Sequence, residues 1–181
     1  MSQHRAWIGL GSNLDDPRRH VEQALAELDR LPLSRRLAAS RLYASRPLGP
    51  QDQPDYINAV ALLETRLSPL ALLDQLQALE QRHRRVRQRR WGPRTLDLDL
   101  LLFDDSRLAQ PRLTVPHPEM TRRAFVLVPL LELAPRATLP DGQPLAALAE
   151  ALDTDSLSAL LPEAPDSPRK VLPIDTPPRF G

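Results

Sequence analysis

Arg90-Trp-Gly-Pro-Arg-Thr-Leu-Asp-Leu-Asp-Leu-Leu-Leu-Phe103 holds the clearest pattern in the chain. An aromatic residue and two backbone breakers are followed by leucine alternating with aspartate, which predicts a strand over residues 95–103. Side chains alternate across a strand, so Asp97 and Asp99 share one face while Leu96, Leu98, Leu100 and Leu102 point to the other. Same-face neighbours lie about 6.5–7 Å apart at Cα, two rises of the strand. Two readings fit this pair. The acids can be solvated above a leucine core, or they can share a hard cation or hold two. Aspartate is a poor strand former and two on one face repel, a conflict that a cation removes. Magnesium commonly binds through one or two carboxylates, with phosphate oxygens and waters completing its octahedron. The arginines just upstream supply charge of the kind phosphates need.

Working outward, residues 4–10 read as a first strand ending in Gly9-Leu-Gly-Ser-Asn13. Asp15 or Asp16 can cap a helix with Pro17 in its first turn, along which Val21, Leu25, Leu28 and Leu31 recur at helical spacing. Residues 33–43 are a candidate second strand. Residues 46–55, with three prolines and a glycine, read as a loop. Residues 56–64 make a third strand, and Ser68-Pro69 opens a helix to about Arg84. After the strand at 95–103 come an irregular stretch to 118, a short helix over 122–133 and a last helix over 145–152. Strand, helix, strand, strand, helix, strand is the order of a ferredoxin-like α+β domain, a mainly antiparallel sheet with helices packed on one face. A single domain is expected over residues 1–160. Six prolines from Pro162 onward, without apolar periodicity, mark residues 161–181 as a flexible tail.

Composition narrows the class. The chain has 181 residues, 41% hydrophobic and 26% charged, ordinary values for a globular protein with one core. No apolar run approaches a membrane span and no signal-peptide pattern opens the chain, so a cytoplasmic protein without membrane contact is expected. Cysteine is absent, which removes disulfides, thiolate metal sites and cysteine nucleophiles. A net charge of +1 gives no global nucleic-acid footprint.

Three further groups carry potential chemistry. Gly9-x-Gly11 lacks the third glycine of a dinucleotide loop and the Gly-Lys-Ser/Thr of a P-loop, and reads locally as a tight turn leaving a strand. Between Arg82 and Arg94 stand seven arginines, one histidine and Trp91. That run fits a solvated helix end, an RNA-binding segment with Trp91 for stacking, or a clamp on a triphosphate. Tyr56 and Asn58 share a strand face and offer an aromatic plane beside an amide that both donates and accepts, suited to a flat heterocycle. His117 between Pro116 and Pro118, and Arg123 with Phe125, add a possible phosphate contact and another aromatic.

Taken in order, Gly9-Leu-Gly-Ser-Asn13, Pro47-Leu-Gly-Pro-Gln-Asp-Gln-Pro-Asp-Tyr-Ile-Asn58, the segment from Arg90 to Asp99, Pro116-His-Pro118 and Arg123-Ala-Phe-Val-Leu127 closely resemble the 6-hydroxymethyl-7,8-dihydropterin pyrophosphokinase family. The resemblance covers about residues 4–152 and implies a ferredoxin-like fold. It also implies transfer of pyrophosphate from ATP to the pterin hydroxymethyl group in folate biosynthesis. On it, Asp97 and Asp99 are ligands of two magnesium ions, and Arg85, Arg94 and Arg123 act with them on the phosphates. Gln77, Glu80, Arg87, Arg112, Thr114 and His117 lie near the nucleotide. Tyr56 and Phe125 sandwich the pterin, Asn58 reads its edge, Trp91 adjoins it, and backbone groups near Ser45 and Leu48 complete its recognition. The loops near residues 12–17, 46–55 and 84–94 are those expected to close over ATP. ATP and 6-hydroxymethyl-7,8-dihydropterin are the expected partners of a monomer that binds no nucleic acid. Ser45-Arg46 departs from the Thr-Pro of many relatives, Pro118 from a tyrosine, and Glu119 from a frequent basic residue. The alternative is a ferredoxin-like RNA-binding module using the arginine run, against which stand only seven aromatics and no RNP1-type signature.

Overall fold

The computed structural model describes residues 2–14, 16–46, 55–85 and 95–160. The expectations for Leu48, Arg87, Trp91, Arg94, the Arg85 side chain and the tail 161–181 lie outside those residues, as do Asp15 and most of the loops at 46–55 and 84–94.

Strand β1 (His4–Ser12) runs through the middle of the sheet, antiparallel to β4 (Tyr56–Thr65) on one side and β5 (Asp97–Phe103) on the other. Two shorter strands, β2 (Ser34–Ala39) and β3 (Tyr43–Ser45), both pair antiparallel with β4. Helix α1 (Pro17–Leu28) joins β1 to β2, and α2 (Pro69–Arg85) joins β4 to β5. This is the ferredoxin-like arrangement. The predicted second strand at 33–43 divides because Ser40 turns its side chain into the ladder. Its Oγ accepts from Val60 N at 3.0 Å while its own N–H donates to Val60 O. The stretch expected to be irregular contains a small ribbon, β6 (Leu108–Ala109) with β7 (Thr114–Val115). A further strand, β8 (Leu157–Ala159), adds itself to β3.

The glycines of the first motif are not in a turn. Gly9 and Gly11 lie within β1, opposite Val60 and Asn58 of β4 and opposite Asp99 and Asp97 of β5. Nor does Asp16 cap α1 with its side chain. It takes a left-handed conformation (φ 63°), and only its carbonyl serves the helix, accepting from His20 N. Ser68 does cap α2, its Oγ accepting from Ala71 N at 3.2 Å.

Two apolar layers hold the sheet. On one face Ile8, Leu10, Ala59, Ala61, Leu98 and Leu100 pack under Val21, Leu25 and Leu28 of α1 and Leu72, Leu76 and Leu79 of α2. Buried side chains of this size each contribute about 1.5–3 kcal/mol over their exposed state. Between the helices, His20 and His83 meet Nδ1 to Nδ1 at 2.8 Å, and Glu27 lies 2.5 Å from His83 Nε2. On the other face, Trp7, Val60, Leu62, Leu101 and Leu102 pack against α3 (Ala124–Leu133) and α4 (Leu145–Glu150). Helices therefore cover both faces, rather than the one face the element order suggests. Leu102 belongs to this second layer, contrary to strict alternation. A bulge opposite Trp7 and Ile8 inserts Leu101 into β5 and reverses the faces from Leu102 onward.

Helix α3 is pinned to the sheet through Glu132. Arg41 N and Nε both donate to that carboxylate at 2.9 Å, and Tyr43 Oη donates to it at 2.5 Å. Burial, with the Glu132 contact adding to it, pushes the Tyr43 phenol from 10.0 up to about 12. The folded protein thus holds this proton more tightly than the unfolded chain. Its contribution to stability is complete below the ordinary phenol value and is lost as pH rises through about 12. Tyr43→Phe is expected to cost about 1–2 kcal/mol in denaturant titrations at neutral pH. The gap to wild type should close at the alkaline end of that window.

Candidate active site

Beyond the ground covered by α3, the second sheet face turns polar. One row across the strands reads Asp97, Gly11, Asn58, Tyr43, and the next reads Asp99, Gly9, Val60. Asp97 and Asp99 are both half-buried and stand on the face opposite Leu98 and Leu100, as the alternation predicts. Neighbouring groups fix the backbone that carries them. Leu98 N–H, between the two acids, donates to Glu80 Oε2 of α2 at 2.9 Å, and Ser12 Oγ donates to the Thr95 carbonyl. Among the described residues no group of three or more histidine, aspartate or glutamate side chains is placed to hold a metal. The donors on offer are two hard carboxylates. They suit magnesium, which takes much of its shell from water and phosphate.

Two cationic or proton-donating groups face Asp99. Arg123 Nη1 lies 3.7 Å from Asp99 Oδ2, and His117 Nε2 lies 4.0 Å from Asp99 Oδ1. His117 Nδ1 accepts the Glu119 backbone N–H at 3.1 Å, so in the neutral ring the proton sits on Nε2, on the acid side. The His117 backbone is tied to β5 by its own N–H donating to Leu101 O at 2.9 Å, just after a cis Val115–Pro116 bond. Arg123 ends a 3₁₀ turn (Met120–Arg122) and caps α3, its carbonyl receiving Val126 N and Leu127 N. The apolar seat of α3 on Trp7, Val60 and Leu62 therefore sets where this guanidinium stands. Its Cζ lies 5.7 Å from the centre of the Phe125 ring, a cation–π contact.

Tyr56 and Asn58 lie on the same face of β4, with Ile57 in the opposite core. Ser45, opposite Tyr56, donates through Oγ to Asn58 Oδ1 at 2.8 Å. Sequence reasoning credited Ser45 with backbone contacts only and gave Gly11 no part. The signal for Gly11 was available: glycine inside a strand marks a close approach. Gln77 and Arg112 come together at the margin of α2, where Arg112 Nη2 contacts Asp74 Oδ1 at 2.5 Å and Gln77 Oε1 at 3.2 Å. These hydrogen bonds tie Arg112 to Gln77 and Asp74 rather than to the acids of β5. Thr114 is exposed on β7.

An acid pair suited to a hard cation, a guanidinium and an imidazole facing Asp99, and an aromatic-amide row alongside are the kind of site a polyphosphate-handling transferase needs on a ferredoxin-like sheet. Comparison with known proteins says which kind. Residues 7–135 match the 7,8-dihydro-6-hydroxymethylpterin-pyrophosphokinase family, and the chain belongs to that family. It is 53% identical over 156 residues to the 2-amino-4-hydroxy-6-hydroxymethyldihydropteridine pyrophosphokinase of Pseudomonas aeruginosa, covering 86% of this chain and 96% of that one. With the enzyme of the same name from Haemophilus influenzae it shares 52% identity over 138 residues, covering 76% and 86%. The fold matches solved Plasmodium falciparum HPPK-DHPS, for example with a TM-score of 0.67 at 14% identity. That match covers 82% of this chain and 45% of the other, so the chain spans less than half of those longer proteins.

Proposed function

We propose that this chain transfers the intact β,γ-pyrophosphoryl group of ATP to the hydroxymethyl oxygen of 6-hydroxymethyl-7,8-dihydropterin, a step of folate biosynthesis. The pterin oxygen bonds to the β-phosphorus and the bond from that phosphorus to the α,β-bridging oxygen breaks. AMP leaves with the bridging oxygen and the hydroxyl proton passes to solvent. The observation that carries this reading is the acid pair of β5, one strand removed from Asn58 and facing Arg123 and His117, in a chain of this family.

Asp97 and Asp99 are the residues to hold magnesium, two ions on this reading, and bound magnesium supplies charge neutralisation at the phosphate oxygens. Arg123 offers paired N–H donors and His117 its Nε2–H to phosphate oxygens, fixing them for in-line attack. Phe125 and Tyr56 hold the ring from its two faces and Asn58 binds its edge, so the substrate hydroxyl is brought toward the acid pair. The same reading gives Arg85, Arg87 and Arg94 to the phosphates, Trp91 and Leu48 to the pterin, and Gln77, Glu80, Arg112 and Thr114 to the nucleotide side. Alignment and fixed charge supply most of the acceleration in reactions of this type. On this reading the chain acts as a monomer. Among the described residues no helix is long and apolar enough to cross a membrane. The test is AMP formation from ATP and magnesium, followed with and without the dihydropterin. Strict dependence on the pterin is expected, and AMP formation indifferent to it would overturn the reading.

A further inference from the structure

Asn58 and Ser45 are both buried, at 4% and 7% exposure, and form a hydrogen bond of 2.8 Å from Ser45 Oγ to Asn58 Oδ1. An asparagine amide has two flat orientations that exchange a double donor for an acceptor. The Ser45 hydroxyl, which can donate or accept, anchors the end of the amide nearest β3, where Oδ1 stands. The other end of the amide lies over β1. A Cβ built on Gly11 would stand 3.0 Å from Asn58 Nδ2, closer than side chains normally approach. The amide thus lies between a hydroxyl from the neighbouring row and a residue without a side chain, and the row of Gly11 ends at Asp97.

We propose that Ser45 and Gly11 are positioning residues: the Ser45 hydroxyl anchors the Asn58 amide, and Gly11 leaves the space its far end needs, so that the amide meets the edge of the heterocycle. This rests on the pterin reading above. With one lone pair of Oδ1 engaged by Ser45, the other accepts a ring N–H, and Nδ2 donates to a ring acceptor beside it. Without the Ser45 hydroxyl the amide loses its anchor, and a side chain at Gly11 pushes it away from that edge. The hydroxyl is needed here, so serine and threonine serve alike and alanine does not.

The test is a double-mutant cycle on the pterin KM, with the ATP KM and thermal midpoint recorded alongside. Ser45→Ala should raise the pterin KM about tenfold, equivalent to ~1.4 kcal/mol, and leave the ATP KM within about twofold. Ser45→Thr should restore the wild-type value. Gly11→Ala should raise the pterin KM to a similar degree. In an Asn58→Ala background neither substitution should add more than about twofold, because both act through the missing amide. A Ser45→Ala enzyme equal to wild type, or penalties of the same size with and without Asn58, would overturn the assignment. Wild-type protein that turns over no pterin would overturn the pterin reading itself, and the assignment with it.

Discussion

Asp97→Ala and Asp99→Ala are each expected to lower kcat by about 10³-fold while the protein stays folded. A fall of that size corresponds to roughly 4 kcal/mol of transition-state stabilisation, within what a metal and its fixed charges supply. The fold should tolerate the change. Asp99 is 38% exposed at its side chain, and removing either acid relieves repulsion between two like charges on one strand face. Such sites usually move stability by no more than about 0.5 kcal/mol. Asn in place of Asp keeps the shape but not the charge, so it should be nearly as damaging. Steady-state kinetics beside a thermal melt checks the pair, and near-normal turnover in a folded Ala variant would remove the acids from the metal site.

Arg123→Ala carries the next largest effect, a loss of about 10²-fold in kcat/KM for ATP. The guanidinium faces Asp99 and stands over the Phe125 ring, so its loss removes a phosphate contact and loosens an aromatic wall together. Lysine should recover only part of the loss, because a point charge cannot reproduce a planar fork of donors. The helix should survive, since what Arg123 gives α3 is its backbone carbonyl rather than its side chain. A change smaller than about threefold with alanine would place Arg123 outside the reacting centre.

How much of this could be read from the chain follows from the range of the forces involved. Leucine alternating with aspartate reports the local environment of one strand, and Asp97 and Asp99 stand where it puts them. Leu102 escapes the rule because its face is decided by a bulge against Trp7 and Ile8, ninety-odd residues away in sequence. The break in the second strand depends on one hydroxyl, Ser40, competing for the Val60 backbone. Helix α3, Ala-Phe-Val-Leu-Val-Pro-Leu-Leu-Glu-Leu, is apolar nearly all round, so it has no stripe to say which surface it buries. Its place on the site face, and with it the position of Arg123, emerges only from the assembled sheet. Gly9 and Gly11 read as a turn because glycine signals turns most often, although glycine inside a strand also marks the close approach that the neighbouring strands reveal. The Tyr43–Glu132 brace joins residues with no shared motif and left no local trace. The whole motif series from Gly9 to Leu127, taken in order, did carry the family, which no one element would have done.

Phosphorus NMR of the products formed from ATP, magnesium and 6-hydroxymethyl-7,8-dihydropterin tests the central claim most directly. Intact pyrophosphoryl transfer predicts AMP and the pterin pyrophosphate in equal amounts, with no ADP and no free phosphate. ADP accumulating in step with a singly phosphorylated pterin would contradict it, since the bond broken would then be the one to the γ-phosphorus.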